Sequence, residues 1–152
     1  MTSPGTGERL VYTLGRDPLP PLSALRWWTA RALPRLDADH LWAVQLVVTE
    51  LATNAYEHGA GPVTIAASAT FLPCSALLEV HDEGEAVPVI GSPGPAVARG
   101  RGLVLVGDLA RDWGVRPAEP GKTVWARIDC GTGTLAACAV RDEPIMMDPE
   151  PC

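Results

Sequence analysis

Residues 38–58, ADHLWAVQLVVTELATNAYEH, constrain the fold more than any other stretch of the chain. Leu41, Val44, Val47, Val48, Leu51, Ala52 and Ala55 recur at intervals of three and four, the spacing of one broad face of an α-helix. Asp37 or Asp39 is placed to cap its start, and Gly59 and Gly61 supply the stop. A helix with so wide an apolar surface needs a second layer to cover it. Yet Glu50, Asn54 and His58 recur every fourth residue and so line up along one stripe. Facing the interior, that stripe is costly unless partners or a ligand satisfy it; facing water, it needs no explanation. The helix by itself leaves both readings open.

The rest of the chain supplies the second layer. Residues 8–14 (ERLVYTL), 63–71 (VTIAASATF), 76–82 (ALLEVHD) and 122–130 (KTVWARIDC) carry the β-branched and aromatic content of strands. A turn at Pro73–Ser75 is expected to join the second and third. Pro18, Pro20 and Pro21 precede a helix whose apolar positions are Leu22, Leu25, Trp28 and Leu33, and Pro34 ends it. Of the paired Trp27 and Trp28, one is expected in the core and the other on the surface. Residues 83–102 are rich in glycine, with prolines at 88, 93 and 95, and cannot be a regular element; a segment of this kind in a compact domain points to function or disorder. A helix over 103–113 and a short strand near Val115 complete the order. The fold class expected is α+β, a two-layer α/β sandwich with a mixed, mainly antiparallel sheet and helices on one face. Residues 1–7 read as a flexible N-terminus, 8–130 as the domain, and 131–152 as a flexible acidic tail.

Composition narrows the function. A net charge of −6 argues against a nucleic-acid surface, because phosphate backbones demand clustered cations. No apolar run is long enough to span a bilayer, and MTSPGTGERL lacks the pattern of a secretion signal, so a soluble cytoplasmic protein is expected. Cys74, Cys130, Cys138 and Cys152 form no CxxC pair and no cluster with histidine in the sequence. They are expected to be thiols in a reducing compartment, with no zinc site.

Three further motifs bear chemistry. Asp82 ends an apolar strand two residues before Gly84, where a carboxylate can accept a hydrogen bond from a ligand's amino group. In GRGLVLV, Gly100 and Gly102 precede a helix whose backbone N–H groups favour phosphate, with Arg99 and Arg101 adding positive charge. GKTV at 121–124 sets the Thr123 hydroxyl on a strand after a turn. Each alone is common.

In this order, ExxxNAxxHG, DxG, a long glycine-rich loop closing on GRGL and then GKTVW, the chain resembles the GHKL (Bergerat-type) ATP-binding domain over about residues 8–129. It is most similar to the small RsbW-like anti-sigma-factor serine kinases. The resemblance implies ATP and Mg2+ as cofactors. Asn54 would hold the magnesium ion and Glu50 would be the general base, with His58 closing the first box. Asp82 would receive the adenine amino group, Gly84 would let the base approach the backbone, and Thr123 would supply a nearby hydroxyl. Gly100, Gly102 and Leu103 would mark where the lid meets the phosphates, with Arg99 and Arg101 as phosphate contacts. Ala86 stands where the family usually carries glycine, which restricts the backbone at the start of the lid. The implied activity is a protein serine/threonine kinase that sequesters a sigma factor and phosphorylates an anti-anti-sigma partner, regulating transcription by partner switching; a homodimer is implied too. The alternative is a non-catalytic nucleotide-binding interaction module of the same fold.

Overall fold

The computed structural model describes residues 9–15, 22–71, 74–85 and 105–130. The chain ends and most of the glycine-rich stretch lie outside them. Seven elements follow one another: β1 (Leu10–Leu14), α1 (Leu22–Ala32), α2 (Ala38–His58), β2 (Val63–Phe71), β3 (Cys74–Asp82), β4 (Asp112–Pro117) and β5 (Lys122–Asp129). Residues 105–109 are also helical.

The strands form one sheet in the order β1-β2-β3-β5-β4. All four pairings are antiparallel, so the described sheet is more uniform than the mixed one expected. Short connections explain two of these pairings: β2 meets β3 across residues 72–73 and β4 meets β5 across residues 118–121, too little chain for a parallel crossover.

Side chains alternate across the sheet with period two, and register aligns the apolar ones on a single face. Ile65, Leu78 and Val80 are fully buried there, as is Ala126, and Ile128 nearly so. On α2, Val44, Val47, Val48 and Leu51 are buried against that face, each side chain contributing roughly 1.5–3 kcal/mol by leaving water. Asp37 caps α2, its side chain accepting from the His40 N–H at 2.8 Å. On α1, Leu25 and Thr29 are fully buried, and the Thr29 hydroxyl donates back to the Leu25 carbonyl at 2.8 Å. Trp28 packs on the core, its ring 5.3 Å from that of Tyr12, whereas Trp27 lies beneath the Arg31 guanidinium at 4.7 Å.

The opposite face of the sheet carries no described helix. At its centre Glu79 on β3 receives Arg9 from one edge, at 3.3 Å, and Arg116 from the other. Among the described residues no helix is long and apolar enough to cross a membrane.

Among the boundaries that differ from the sequence reading, two have a clear structural cause. Cys74 and Ser75 already belong to β3, opposite Phe71 and Thr70, so the hairpin turn is tighter than predicted. The helix predicted to reach residue 113 stops at residue 109, and Asp112 and Trp113 pair with Arg127 and Ala126 in β4. The Arg111 N–H donates to the Arg127 carbonyl at 2.7 Å and opens that ladder, so an available sheet edge outweighs helical periodicity.

Candidate functional site

At one end of the sheet, the C-terminal residue of β3 meets the N-terminal residue of β5. Asp82 and Lys122 are directly opposite in the register and both project toward the helices. Their ammonium–carboxylate contact is 3.0 Å, with side chains 8% (Lys122) and 0% (Asp82) exposed. Asp82 Oδ1 accepts three hydrogen bonds, from Gly84 N at 2.7 Å, Lys122 Nζ at 3.0 Å and Ala60 N at 3.4 Å. Lys122 Nζ also donates to the Gly84 carbonyl at 3.3 Å. Asp82 Oδ2 is buried and has no partner. One oxygen is thus saturated while the other keeps its full capacity to accept.

Glycine makes this packing possible. Gly121 has φ +86°, and a Cβ there would also overlap the Asp82 carbonyl, so any other residue would be both strained and crowded. A Cβ at Gly59, the C-cap of α2, would collide with the Asp82 carboxyl. The helix therefore ends hard against the carboxylate, an arrangement completed by the Glu83 N–H donating to the Ala60 carbonyl at 2.7 Å.

The polar stripe of α2 approaches this end. Glu50 and Asn54 are half-buried, and His58 is exposed beside Glu57, with Nε2 3.9 Å from the carboxylate. The Asn54 amide nitrogen is buried without a partner. Burial, and secondarily the Glu57 carboxylate, push the Glu50 carboxyl above its ordinary range. A raised carboxyl is a stronger proton acceptor once ionised than a surface glutamate.

Of the predicted site residues, Asp82 and Gly84 meet the end of the helix that carries Glu50, Asn54 and His58. Thr123 does not join them. It pairs with His81, and alternation puts its side chain on the other face of the sheet. The expected hydroxyl beside Asp82 is thereby corrected: the residue on that face is Lys122, which sequence reasoning missed. The available signal was its position, a lone lysine immediately after the turn glycine, one residue before the threonine. Ala86, Arg99, Gly100, Arg101, Gly102 and Leu103 lie outside the described residues.

Residues 21–128 match the family model described as a histidine kinase-like ATPase domain. Among solved structures, the chain is similar to the RsbU and RsbW domains of Rv1364c from Mycobacterium tuberculosis, with a TM-score of 0.58 and 17% identity over 80% of this chain. It is also similar to the histidine kinase domain of the EL346 blue-light activated histidine kinase from Erythrobacter litoralis, with a TM-score of 0.46 and 20% identity over 74% of this chain. The matched region spans 32% of the first of those chains and 63% of the second. No curated protein matches the chain.

Proposed function

The chain belongs to the histidine kinase-like ATPase family, and from that premise we propose that it is an ATP-dependent protein serine/threonine kinase of the anti-sigma type. Its substrate in this reading is a small anti-anti-sigma protein, and its second partner is a sigma factor. The family itself implies ATP binding. The observation that carries the reading further is Asp82: a fully buried carboxylate with one saturated oxygen and one unpartnered oxygen, at the foot of the helix bearing Glu50 and Asn54.

The donor set fits the nucleotide. An adenine amino group is a donor of the kind that Asp82 Oδ2 lacks, whereas the carbonyl at the same position of guanine would repel it. The unpartnered Asn54 amide nitrogen suits an acceptor such as a phosphate oxygen, and its amide oxygen is a hard ligand of the kind magnesium prefers. When bound, Mg·ATP supplies the phosphoryl group and the metal that neutralises its charge. The chain's own residues then have distinct tasks. Lys122 holds Asp82 through Oδ1 and leaves Oδ2 for the base. Glu50, with its raised carboxyl, orients and deprotonates the hydroxyl of a substrate serine or threonine. The fold shared with a structure described as containing an RsbW domain supports the anti-sigma assignment by analogy of architecture.

The test is a pull-down from a bacterial extract with and without ATP, followed by incubation of the captured proteins with labelled ATP. We expect a captured partner to carry label on serine or threonine, and to be released or retained according to the nucleotide. ATP binding without label on any captured protein would reject the kinase and leave the non-catalytic binding module. Failure to bind ATP would reject both.

A further inference from the structure

Far from Asp82, three side chains from three elements converge. His40 lies in the first turn of α2, Cys74 opens β3, and Cys130 directly follows β5. Their ligand atoms, one ring nitrogen and two sulfurs, all lie within 4.8 Å of one another. No zinc site is expected from the sequence, because these residues are dispersed along the chain and form no short-spaced motif. Antiparallel pairing brings the two cysteines together: Cys130 continues the ladder past the Ser75–Asp129 pair, its N–H donating to the Cys74 carbonyl at 3.1 Å. The N-terminal turn of α2 then sets His40 against them.

The imidazole is oriented as a metal ligand requires. Its Nε2 lies 2.7 Å from the Ile128 carbonyl, which can only accept, so the ring proton resides on Nε2. The lone pair of Nδ1 is thereby directed to the sulfurs, with Cys74 Sγ at 3.7 Å. A histidine that donates its far N–H to a backbone carbonyl, fixing tautomer and orientation, is the common supporting contact of metal-binding imidazoles. The His40–Cys74 spacing of 3.7 Å also agrees, with the other separations bounded by 4.8 Å. Around a tetrahedral zinc ion, with Zn–S about 2.3 Å and Zn–N about 2.0 Å, neighbouring ligand atoms lie roughly 3.5–3.8 Å apart.

We propose that His40, Cys74 and Cys130 form a site for a thiophilic metal ion, zinc above all. His40 and Cys74 are buried and Cys130 is partly exposed, so a fourth ligand would approach from the Cys130 side. Each thiol releases its proton to solvent as the metal–sulfur bond forms, so binding strengthens as pH rises. No electron is transferred. The ion would clamp the start of α2 to the far ends of β3 and β5. β3 is 9 residues long, which puts Cys74 roughly 26 Å from Asp82 at about 3.3 Å per residue. The metal site is therefore separate from the candidate nucleotide site and does not depend on its reading.

The experiment uses the full chain, reduced and metal-free, with Cys138→Ser and Cys152→Ser so that no tail thiol contributes. Co2+ serves as the spectroscopic probe, followed by Zn2+ in competition. We expect one equivalent of Co2+ to give the thiolate charge-transfer band and intense visible bands of a tetrahedral sulfur site, with Zn2+ displacing it. Adding Cys130→Ser, which alters a partly exposed side chain and leaves the core intact, should weaken binding at least about tenfold and reduce the charge-transfer band. A site with no such bands at saturating Co2+, or one unchanged by Cys130→Ser, overturns the proposal. So does spontaneous formation of a Cys74–Cys130 disulfide in place of metal uptake.

Discussion

The Asp82–Lys122 contact is a buried ion pair, and such pairs make asymmetric demands. Removing one partner strands the other charge away from water, at a typical cost of 3–5 kcal/mol, whereas removing both together can be nearly neutral. Lys122→Met should therefore lower the free energy of unfolding by about 3 kcal/mol. Asp82→Asn combined with Lys122→Met should cost distinctly less than the two single changes summed. Denaturant titration of the four proteins gives that coupling directly, and an additive result would mean the two side chains do not interact. Asp82→Asn alone should abolish discrimination of ATP from GTP in calorimetric titrations, since Oδ2 would no longer be a carboxylate oxygen. Glu50 behaves in the opposite sense. Its folded-state carboxyl lies above the unfolded value because burial, then Glu57, disfavour the charge. Its ionisation thus destabilises the fold above that folded value, and the penalty vanishes below the unfolded value near pH ~4.3. Glu50→Gln should raise Tm at neutral pH, lose that gain in acid, and eliminate phosphoryl transfer. A variant that is stabilised yet still transfers phosphate at the original rate would remove Glu50 from the role of base.

At the scale of elements, the outer face of the sheet is held by charge. Arg9 and Arg116 reach Glu79 from opposite edges of the sheet, across β2 and β5 respectively. Burial by itself would raise the Glu79 carboxyl, but the hydrogen bonds and charges of the two arginines outweigh it and hold it below the ordinary range. A depressed acid contributes stability above its unfolded pKa and loses it as pH falls through the folded value. Both arginines are more than half exposed, so solvent screens the gain, and the effect belongs at the low end for ion pairs. Glu79→Gln should flatten the loss of Tm as pH falls below about 4.3, and leave Tm unchanged once the pH lies below the folded value; an unaltered pH profile would show that the pairs contribute nothing. The elements themselves differed in how openly the sequence declared them. The bounds of α2 and β2 follow from caps and flanking glycines, as local a signal as any. The start of β4 was hidden because Asp112 and Trp113 continue a helical pattern until an edge strand competes for them. Site residues suffered from the same locality. Asp82 and Gly84 could be named from a motif, but choosing between Lys122 and Thr123 requires the register against β3. A one-residue offset moves a side chain to the opposite face. His40, Cys74 and Cys130 lay further still beyond reach, since no periodicity relates them.

For the whole molecule, α2 and β3 each run from one candidate site toward the other, so the fold has two ends with different chemistry. A ligand that binds the native state alone stabilises it by RT ln(1 + [L]/Kd), about 2.7 kcal/mol at a hundred times Kd. For a domain of this size that corresponds to a rise in Tm of roughly 10 °C. Mg·ATP should produce such a shift through Asp82, and zinc should produce its own through His40, Cys74 and Cys130. Sites more than about 10 Å apart without shared partners contribute additively to within roughly 0.5 kcal/mol. The expected result is therefore a pair of independent increments in scanning calorimetry. Asp82→Asn reduces the ATP increment and keeps that of zinc, while Cys130→Ser does the reverse. If instead each ligand's increment depended on the presence of the other, the helix and strand that join the two ends would be transmitting a conformational change. The coupling free energy, equal in both directions by linkage, would then measure how strongly a metal at the start of α2 influences the nucleotide end of the same helix.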